Sequence, residues 1–322
     1  MSKAMKIWLI VAASLVALGL IIFGGMMSIL KWNFLRLDTT KYETNTYLPD
    51  GEFSNISITE RTADISFFKS NDDTCQVVCY EEAKITHSVT VENDTLNISV
   101  NDTRKWYDHI SLFTVNNPMI SVYLPEKEYN KLSINVRTGD VGIPSALGFE
   151  NIDISTSTGD VICYASAKEL IKIHTSTGDI GLENASAGAI DLSVSTGEIN
   201  LSSVSCEEDI KLSVGTDDIE LTDVSCKNLT SNGDTSDISL KNVIASESFN
   251  ITTDTGDVEF NRCDASEIFV KADTGDVMGT LLSDKVFMAN TDTGKIDVPK
   301  TAIGGRCEIT TDTGDIKIHV VS

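Results

Sequence analysis

A unit built on Thr-Gly-Asp returns along the C-terminal two-thirds of the chain at a nearly constant spacing. Its last residues are Asp140, Asp160, Asp179, Glu198, Asp218, Asp237, Asp257, Asp276, Lys295 and Asp315, and every step between them is 19 or 20 residues. Such a period marks a repeat array, which limits the fold more than any local propensity does. Each unit opens with an alternating segment, as in Ile171-Lys172-Ile173-His174-Thr175 or Phe249-Asn250-Ile251-Thr252-Thr253. A second short alternating segment, such as Asp179-Ile180-Gly181-Leu182, follows the turn. Period-two alternation rich in β-branched residues is the pattern of a half-buried strand. Glycine between two strands supplies a positive φ at a tight corner, and Thr and Asp can bond the turn backbone.

A 20-residue unit cannot bury its own apolar face, so the coils must stack, each pairing its backbone with neighbours about 4.8 Å away. The expected fold is all-β: a single-strand, β-helix-like β-solenoid. Before the corner the inward ladder is Ile154, Ile173, Leu192, Leu212, Ile251, Val270 and Ile309. After it the ladder is Val161, Ile180, Ile199, Ile219, Ile238, Val258, Val277, Ile296 and Ile316. The units are too short for a helical solenoid. Two corners depart from the rule, with Asp217 and Ser236 in the glycine place. Added strain or a changed turn type is expected there.

Ahead of the array the chain divides into an N-terminal cytoplasmic tail (1–6), a transmembrane helix (7–30), a tether (31–52) and an N-terminal β segment capping the solenoid (53–136), with the regular repeats over 137–322. Ile7 to Leu30 carries no charge, and as a helix it spans about 36 Å, enough for a hydrocarbon core of about 30 Å. The run exceeds a typical signal-peptide core, and Met26, Met27, Ile29 and Leu30 stand where a cleavage site wants small residues. A retained single-pass anchor in the cell membrane is therefore expected. Lys3 and Lys6 flank one end and Lys31, Arg36 and Lys41 the other, so flanking charge alone does not set the orientation. The β-rich domain is assigned to the extracellular side. Within the capping segment, Arg61-Thr62-Ala63-Asp64-Ile65 reads as a degenerate corner, and strands are expected near 76–80, 85–91, 96–100 and 109–115.

With 48 acidic against 25 basic residues the net charge is -23, which argues against a nucleic-acid partner and for a solvated, cation-attracting surface. Seven cysteines, an odd number, do not suggest a disulfide framework. Cys75 and Cys79 lie about 13 Å apart along one strand, too far to bridge. Cys206 and Cys226 share a phase in neighbouring coils, which leaves open both a disulfide and a pair of buried thiols. No Cys/His spacing resembles a zinc site.

Asp-Thr-Gly, the aspartic-protease signature, occurs at Asp254, Asp273, Asp292 and Asp312. These fall at the coil period, however, and Ser157, Ser176 and Ser195 fill the same slot earlier. A turn element explains them together. His87, His109, His174 and His319 are scattered, and no nucleophile elbow or phosphate loop is present. No enzymatic activity and no cofactor are expected. Asp254, Asp273 and Asp312 beside Asp257, Asp276 and Asp315 form two carboxylate columns and are the candidates for Ca²⁺. Calcium wants roughly 6–8 oxygens, and the β-roll calcium pattern is absent. Solvated turn acids are the simpler reading, with calcium giving weak stabilisation at most. In sequential stacking Lys295 sits inside the second column and relieves its repulsion.

The chain combines an apolar anchor, Thr62-Ala63-Asp64-Ile65, Asp94-Thr95-Leu96-Asn97-Ile98, Val122-Tyr123-Leu124-Pro125 and serial Thr-Gly-Asp-Val coils. This order resembles the bacterial "putative adhesin" family, a domain of unknown function, over roughly residues 50 to 322. The resemblance implies a membrane-anchored β-solenoid at the cell surface with a binding or structural role towards a protein or cell-envelope partner. It also implies an alternative, an accessory component of an envelope-stress or membrane signalling system.

Overall fold

The computed structural model describes residues 3–29, 31–32, 41–103 and 117–321. The strand expected at 109–115, and residues 33–40 of the tether, lie outside them, while the described part of the tether contains the strand Tyr42–Tyr47. Helix α1 covers Lys3–Ile29, so Lys3 and Lys6, expected to precede the helix, are part of it. The rest is a β-solenoid of about 10 turns.

Each regular coil runs a longer strand into the corner and leaves it by a shorter one, as in Ser166–Thr177 and Ile180–Glu183. Both pair in parallel with their counterparts above and below. Ile154, Ile173, Leu192 and Leu212 are successive register partners, as are Ile251, Val270 and Ile309. Val161, Ile180, Ile199, Ile219, Ile238, Val258 and Val277 form the second ladder. All are buried. The gap between Leu212 and Ile251 is filled by Ser231. Its enclosed hydroxyl, like that of Ser236, has no hydrogen-bond partner among the described residues.

The corner needs glycine for a steric reason. Gly159 has φ +137°, and a Cβ there would lie 2.1 Å from the Gly139 carbonyl oxygen of the coil below. The acid that follows has a structural task. The amide of Asp160 donates to Asp140 Oδ1 at 2.9 Å and that of Asp179 to Asp160 Oδ1 at 2.9 Å. The same bond joins Asp257 to Asp237 and Asp276 to Asp257. Each carboxylate thus caps the corner amide of its neighbour. Glu198, one methylene longer, forms no such bond with the Asp218 amide among the described residues. At the departing corners both expected outcomes occur: Asp217 takes φ +87°, whereas Ser236 is not among the positive-φ residues.

Stacking does not follow chain order at the C-terminal end, which corrects the sequential arrangement. Val258–Thr274 pairs with Gly305–Thr313, and Gly305–Thr313 pairs in turn with Lys285–Thr293. The shorter strands match, since Ile316–Val320 lies between Val277–Leu281 and Ile296–Asp297. The final coil is therefore inserted beneath the one that precedes it in sequence. Burial follows the spatial order and not the chain order. Cys307, Ile309, Ile316 and Ile318 are each at most 1% exposed, whereas Ile296 of the outermost coil is 47% exposed. Lys295 consequently sits at the outer end of the acid column, not within it. Its amide donates to Asp315 Oδ1 at 2.7 Å, and no further coil offers an amide for a carboxylate to accept.

The N-terminal end is built from β1 (Tyr42–Tyr47), β2 (Asn55–Glu60), β3 (Asp64–Lys69), β4 (Gln76–Glu82), β5 (Ile85–Glu92), β6 (Thr95–Asp102), β7 (Met119–Leu124), β8 (Glu128–Thr138) and β9 (Val141–Ile143). The coil of β2 and β3 lies between the β6/β7 layer and the β8/β9 coil. Strands β5 and β4 pair antiparallel with β6 and β7, and β1 pairs antiparallel with β4. The degenerate corner before Asp64 is real, because Asp140 N donates to Asp64 Oδ1 at 3.0 Å.

A carboxylate that caps a neighbour's amide should contribute about 1 kcal/mol. Asp276→Ala is expected to lower the unfolding free energy by about that amount, and Lys295→Ala to leave it within about 0.5 kcal/mol. Denaturant melts of the two variants check this pair, and equal losses would contradict the assigned order.

Candidate functional site

The repeat rules lapse most sharply at the N-terminal cap, where several ionisable groups are turned into the interior together. The inward column just before the corner holds Val136, Thr156, Thr175 and Val194 in register, and its first member, opposite Val136, is Glu60. The column just after the corner runs through Val141, Ile65 and Ile120 to Cys79. Packing selects small or β-branched side chains in these columns, yet their cap-end members are a carboxylate and a thiol. Strand β4 turns Val77, Cys79 and Glu81 to the same interior side. Strand β5 brings His87 in opposite Val100.

These groups are enclosed. Exposure is 0% for Cys79, 1% for Glu81 and 6% for both Glu60 and His87. His87 Nε2 meets Glu60 Oε2 at 2.7 Å, and its Nδ1 makes a very short contact with Glu81 Oε2. The remaining carboxylate oxygens are occupied. Tyr47 Oη at 3.0 Å and Asn45 Nδ2 at 2.6 Å donate to Glu81 Oε1. The amides of Arg61 and Thr62 donate to Glu60 Oε1 at 2.7 and 3.1 Å. Beside the cluster is a cavity of about 350 Å³ lined by Glu60, Glu81, His87, Arg61 and Asp102 and bounded by the first regular corner, Thr138-Gly139.

Burial disfavours a charged His87, but its hydrogen bonds to the Cys79 thiol and Glu60 outweigh that effect and raise its pKa from 6.5 to about 10. Burial also disfavours ionised Glu60, yet His87 and the two amides hold its carboxyl below the ordinary 4.5. Burial, reinforced by Glu81, pushes the Tyr47 phenol upward. In chemical terms the site is an imidazolium clamped between two carboxylates next to a thiol.

The calcium candidates are placed differently. Asp257, Asp276 and Asp315 each commit one oxygen to the amide of the adjoining coil. Asp273 pairs with Lys271 Nζ at 2.9 Å, and Asp254 and Asp312 are exposed corner acids. Among the described residues, the one group of three donors close enough to share a metal is Cys79, Glu81 and His87. It joins none of the six acids singled out from the sequence. All seven cysteines are free thiols, Cys206 and Cys226 included, and burial drives the Cys226 thiol up to about 12.

Sequence reasoning missed the cluster because its members come from three strands whose register the repeat does not set. The available signal was small. Glu81 continues the inward alternation of Val77 and Cys79, where a solvated acid is out of place.

The Toastrack DUF4097 family matches residues 53–223 and 207–322 of the chain. The chain belongs to that family. The resemblance carried by the N-terminal apolar run, the Thr62-Ala63-Asp64-Ile65 corner and the serial coils is borne out. Among solved structures this Toastrack chain is similar to a putative adhesin from Bacteroides fragilis NCTC 9343, with 15% identity, 87% of this chain and 97% of that chain covered, and a TM-score of 0.39. It is also similar to a putative lipid binding protein from Parabacteroides distasonis ATCC 8503, at 15% identity, 87% and 97% coverage and a TM-score of 0.42. A putative cell adhesion protein from Clostridium sporogenes ATCC 15579 is similar at 11% identity, 87% and 100% coverage and a TM-score of 0.21. No curated protein matches this chain.

The clamp makes stability depend on pH in a defined direction. A histidine whose pKa is raised on folding stabilises fully below about pH 6.5 and loses that contribution as pH rises through about 10. A depressed glutamate contributes above about pH 4.5 and loses it on further acidification. In EDTA, the melting temperature of the wild type should exceed that of His87→Gln most between roughly pH 4.5 and 6.5. The margin should shrink steadily towards pH 10; a margin that stays constant over that range would rule out the clamp.

Proposed function

We propose that this protein is a membrane-anchored, non-enzymatic surface β-solenoid, whose rod serves outside the membrane as a binding or structural element for a protein or cell-envelope partner. The observation that carries this reading is the helix. Met5–Ile29 is 25 residues long and contains an 18-residue stretch with a mean hydropathy of 2.6, none of which is buried against the rest of the chain. An apolar helix that finds no cover in its own protein is suited to lipid.

The rod supports the display role. Most of its aliphatic side chains lie inside on the ladders, and its long sheet faces carry mainly polar side chains to solvent. Salt bridges such as Lys131–Asp153 and Lys172–Asp191 link adjacent coils across one face, and the net charge of -23 keeps an extended body soluble. Binding on such a body is a matter of flat faces and regular side-chain spacing.

Anchor and topology are tested together by tagging both ends of the full chain. On intact cells a C-terminal tag should be removed by added protease, while an N-terminal tag stays protected and remains with the carbonate-washed membrane fraction. A C-terminal tag protected until lysis would refute surface display. Loss of the N-terminal tag with release of the rod into the medium would refute the anchor.

A further inference from the structure

We propose that Cys79, Glu81 and His87 form a binding site for a divalent transition metal, Zn²⁺ by donor chemistry, with Glu60 as the carboxylate that orients the histidine. One ligand atom from each of the three lies within 4.8 Å of the others. Tetrahedral coordination at bond lengths of about 2.0–2.3 Å sets ligand atoms about 3.3–3.8 Å apart, so the very short Nδ1–Oε2 contact would open as the metal takes the place of the proton between them. Thiolate, imidazole and carboxylate together suit zinc and its neighbours in the first transition row, not calcium or magnesium, which take oxygen donors.

The surroundings are those of a supported metal site. A metal-bound histidine donates its other ring N–H to a carboxylate or carbonyl, which fixes tautomer and ring orientation. His87 has that arrangement, with Nε2 on Glu60 Oε2 at 2.7 Å and Nδ1 on the side of Glu81. Glu60 is itself held by two backbone amides, Arg61 N at 2.7 Å and Thr62 N at 3.1 Å. Glu81 is held through Oε1 by Tyr47 and Asn45, while its Oε2 accepts the His87 amide at 2.8 Å and faces His87 Nδ1, where a metal would stand in place of the Nδ1 proton. Three protein ligands leave the fourth position open, as in catalytic and exchangeable zinc sites. Glu60, Glu81 and His87 all line the adjoining cavity of about 350 Å³. Arg61, with its side chain 56% exposed, lines it too and connects it to solvent.

The column register supplies an independent argument. At the end of the column that otherwise holds Val and Thr, the chain has Glu60, and beyond it Glu81 and His87 are also turned inward, with Cys79 ending the second column. Burying the carboxylates and the imidazole costs stability unless they are paired or bind metal, whereas the thiol beside them is buried at no such cost. A rod cap needs only the apolar version. In the loaded site the metal takes the place of two protons, one from the Cys79 thiol and one from His87 Nδ1, both released to solvent, while the Nε2 proton stays on the ring and is donated to Glu60.

Cobalt(II) reports this chemistry directly. Full-length reduced protein, purified in detergent and stripped with EDTA, is titrated with Co²⁺. One equivalent should produce a thiolate-to-cobalt charge-transfer band with visible bands of tetrahedral intensity, and Zn²⁺ should abolish both whereas Ca²⁺ should not. Cys79→Ser should remove the charge-transfer band, and Cys206→Ser should retain it. Glu60→Gln should keep the band but weaken affinity about 10- to 100-fold. No band in the wild-type protein, or one that survives Cys79→Ser, overturns the site. Should Cys79→Ser fail to fold, Glu60→Gln and His87→Gln decide. Unchanged cobalt affinity in both overturns the proposal, and a loss of about 10-fold or more in each supports it.

Discussion

Every coil of this rod depends on the next for the hydrogen bonds and apolar cover that it cannot supply itself. About twenty residues wound once enclose a strip of Val, Ile and Leu but leave their backbone groups pointing up and down the axis. Stacking satisfies both needs, and the corner makes stacking specific. The positive-φ glycine lets one corner carbonyl approach the next, and the acid after it caps the next coil's amide. The Thr-Gly-Asp repeat is therefore the joint between coils. Because its carboxylates act on a neighbour, each is useful only where another coil follows.

That dependence makes the ends the difficult part. A coil stack is an edge on both sides, and unpaired edges invite association. The chain treats both ends alike in one respect: the first and last corner coils are both covered by a layer from nearer the middle of the sequence. At the C-terminal end the more aliphatic coil goes inside and the poorer one, with Lys295 in place of the usual acid, lies on top. At the N-terminal end the direction reverses, and β4 and β5 close the stack with antiparallel pairing that no further parallel coil can extend. The buried Cys79, Glu81, His87 and Glu60 lie at this reversal. There the column positions cease to be governed by identical neighbours above and below.

The periodic part of this architecture was legible in the sequence because a repeat states the same constraint many times. Val161 to Val277 on one strand and Ile154 to Leu212 on the other could be placed in register from spacing alone. Asp217 and Ser236 could be marked as irregular corners. The order of the last two coils was not legible, since Asp276, Lys295 and Asp315 keep the period whichever coil is outermost. Only comparison of burial favours Ile316 over Ile296 for the inner place. The cluster in the cap was hidden for a related reason. Its donors come from β2, β4 and β5, which the antiparallel reversal brings together at spacings that no motif records. The acids that stood out, Asp254 to Asp315, stood out through repetition, and repetition here reflects construction.

The inserted C-terminal coil is the sharpest consequence of reading the rod as a stack whose stability is set by position in space. Native-state hydrogen exchange measures it directly. Amides of Gly305–Thr313, paired on both sides, should exchange more slowly than those of Lys285–Thr293, paired on one side, although they lie nearer the chain terminus. If protection instead falls steadily along the sequence, with Gly305–Thr313 exchanging faster than Lys285–Thr293, the coils stack in chain order and the account is wrong.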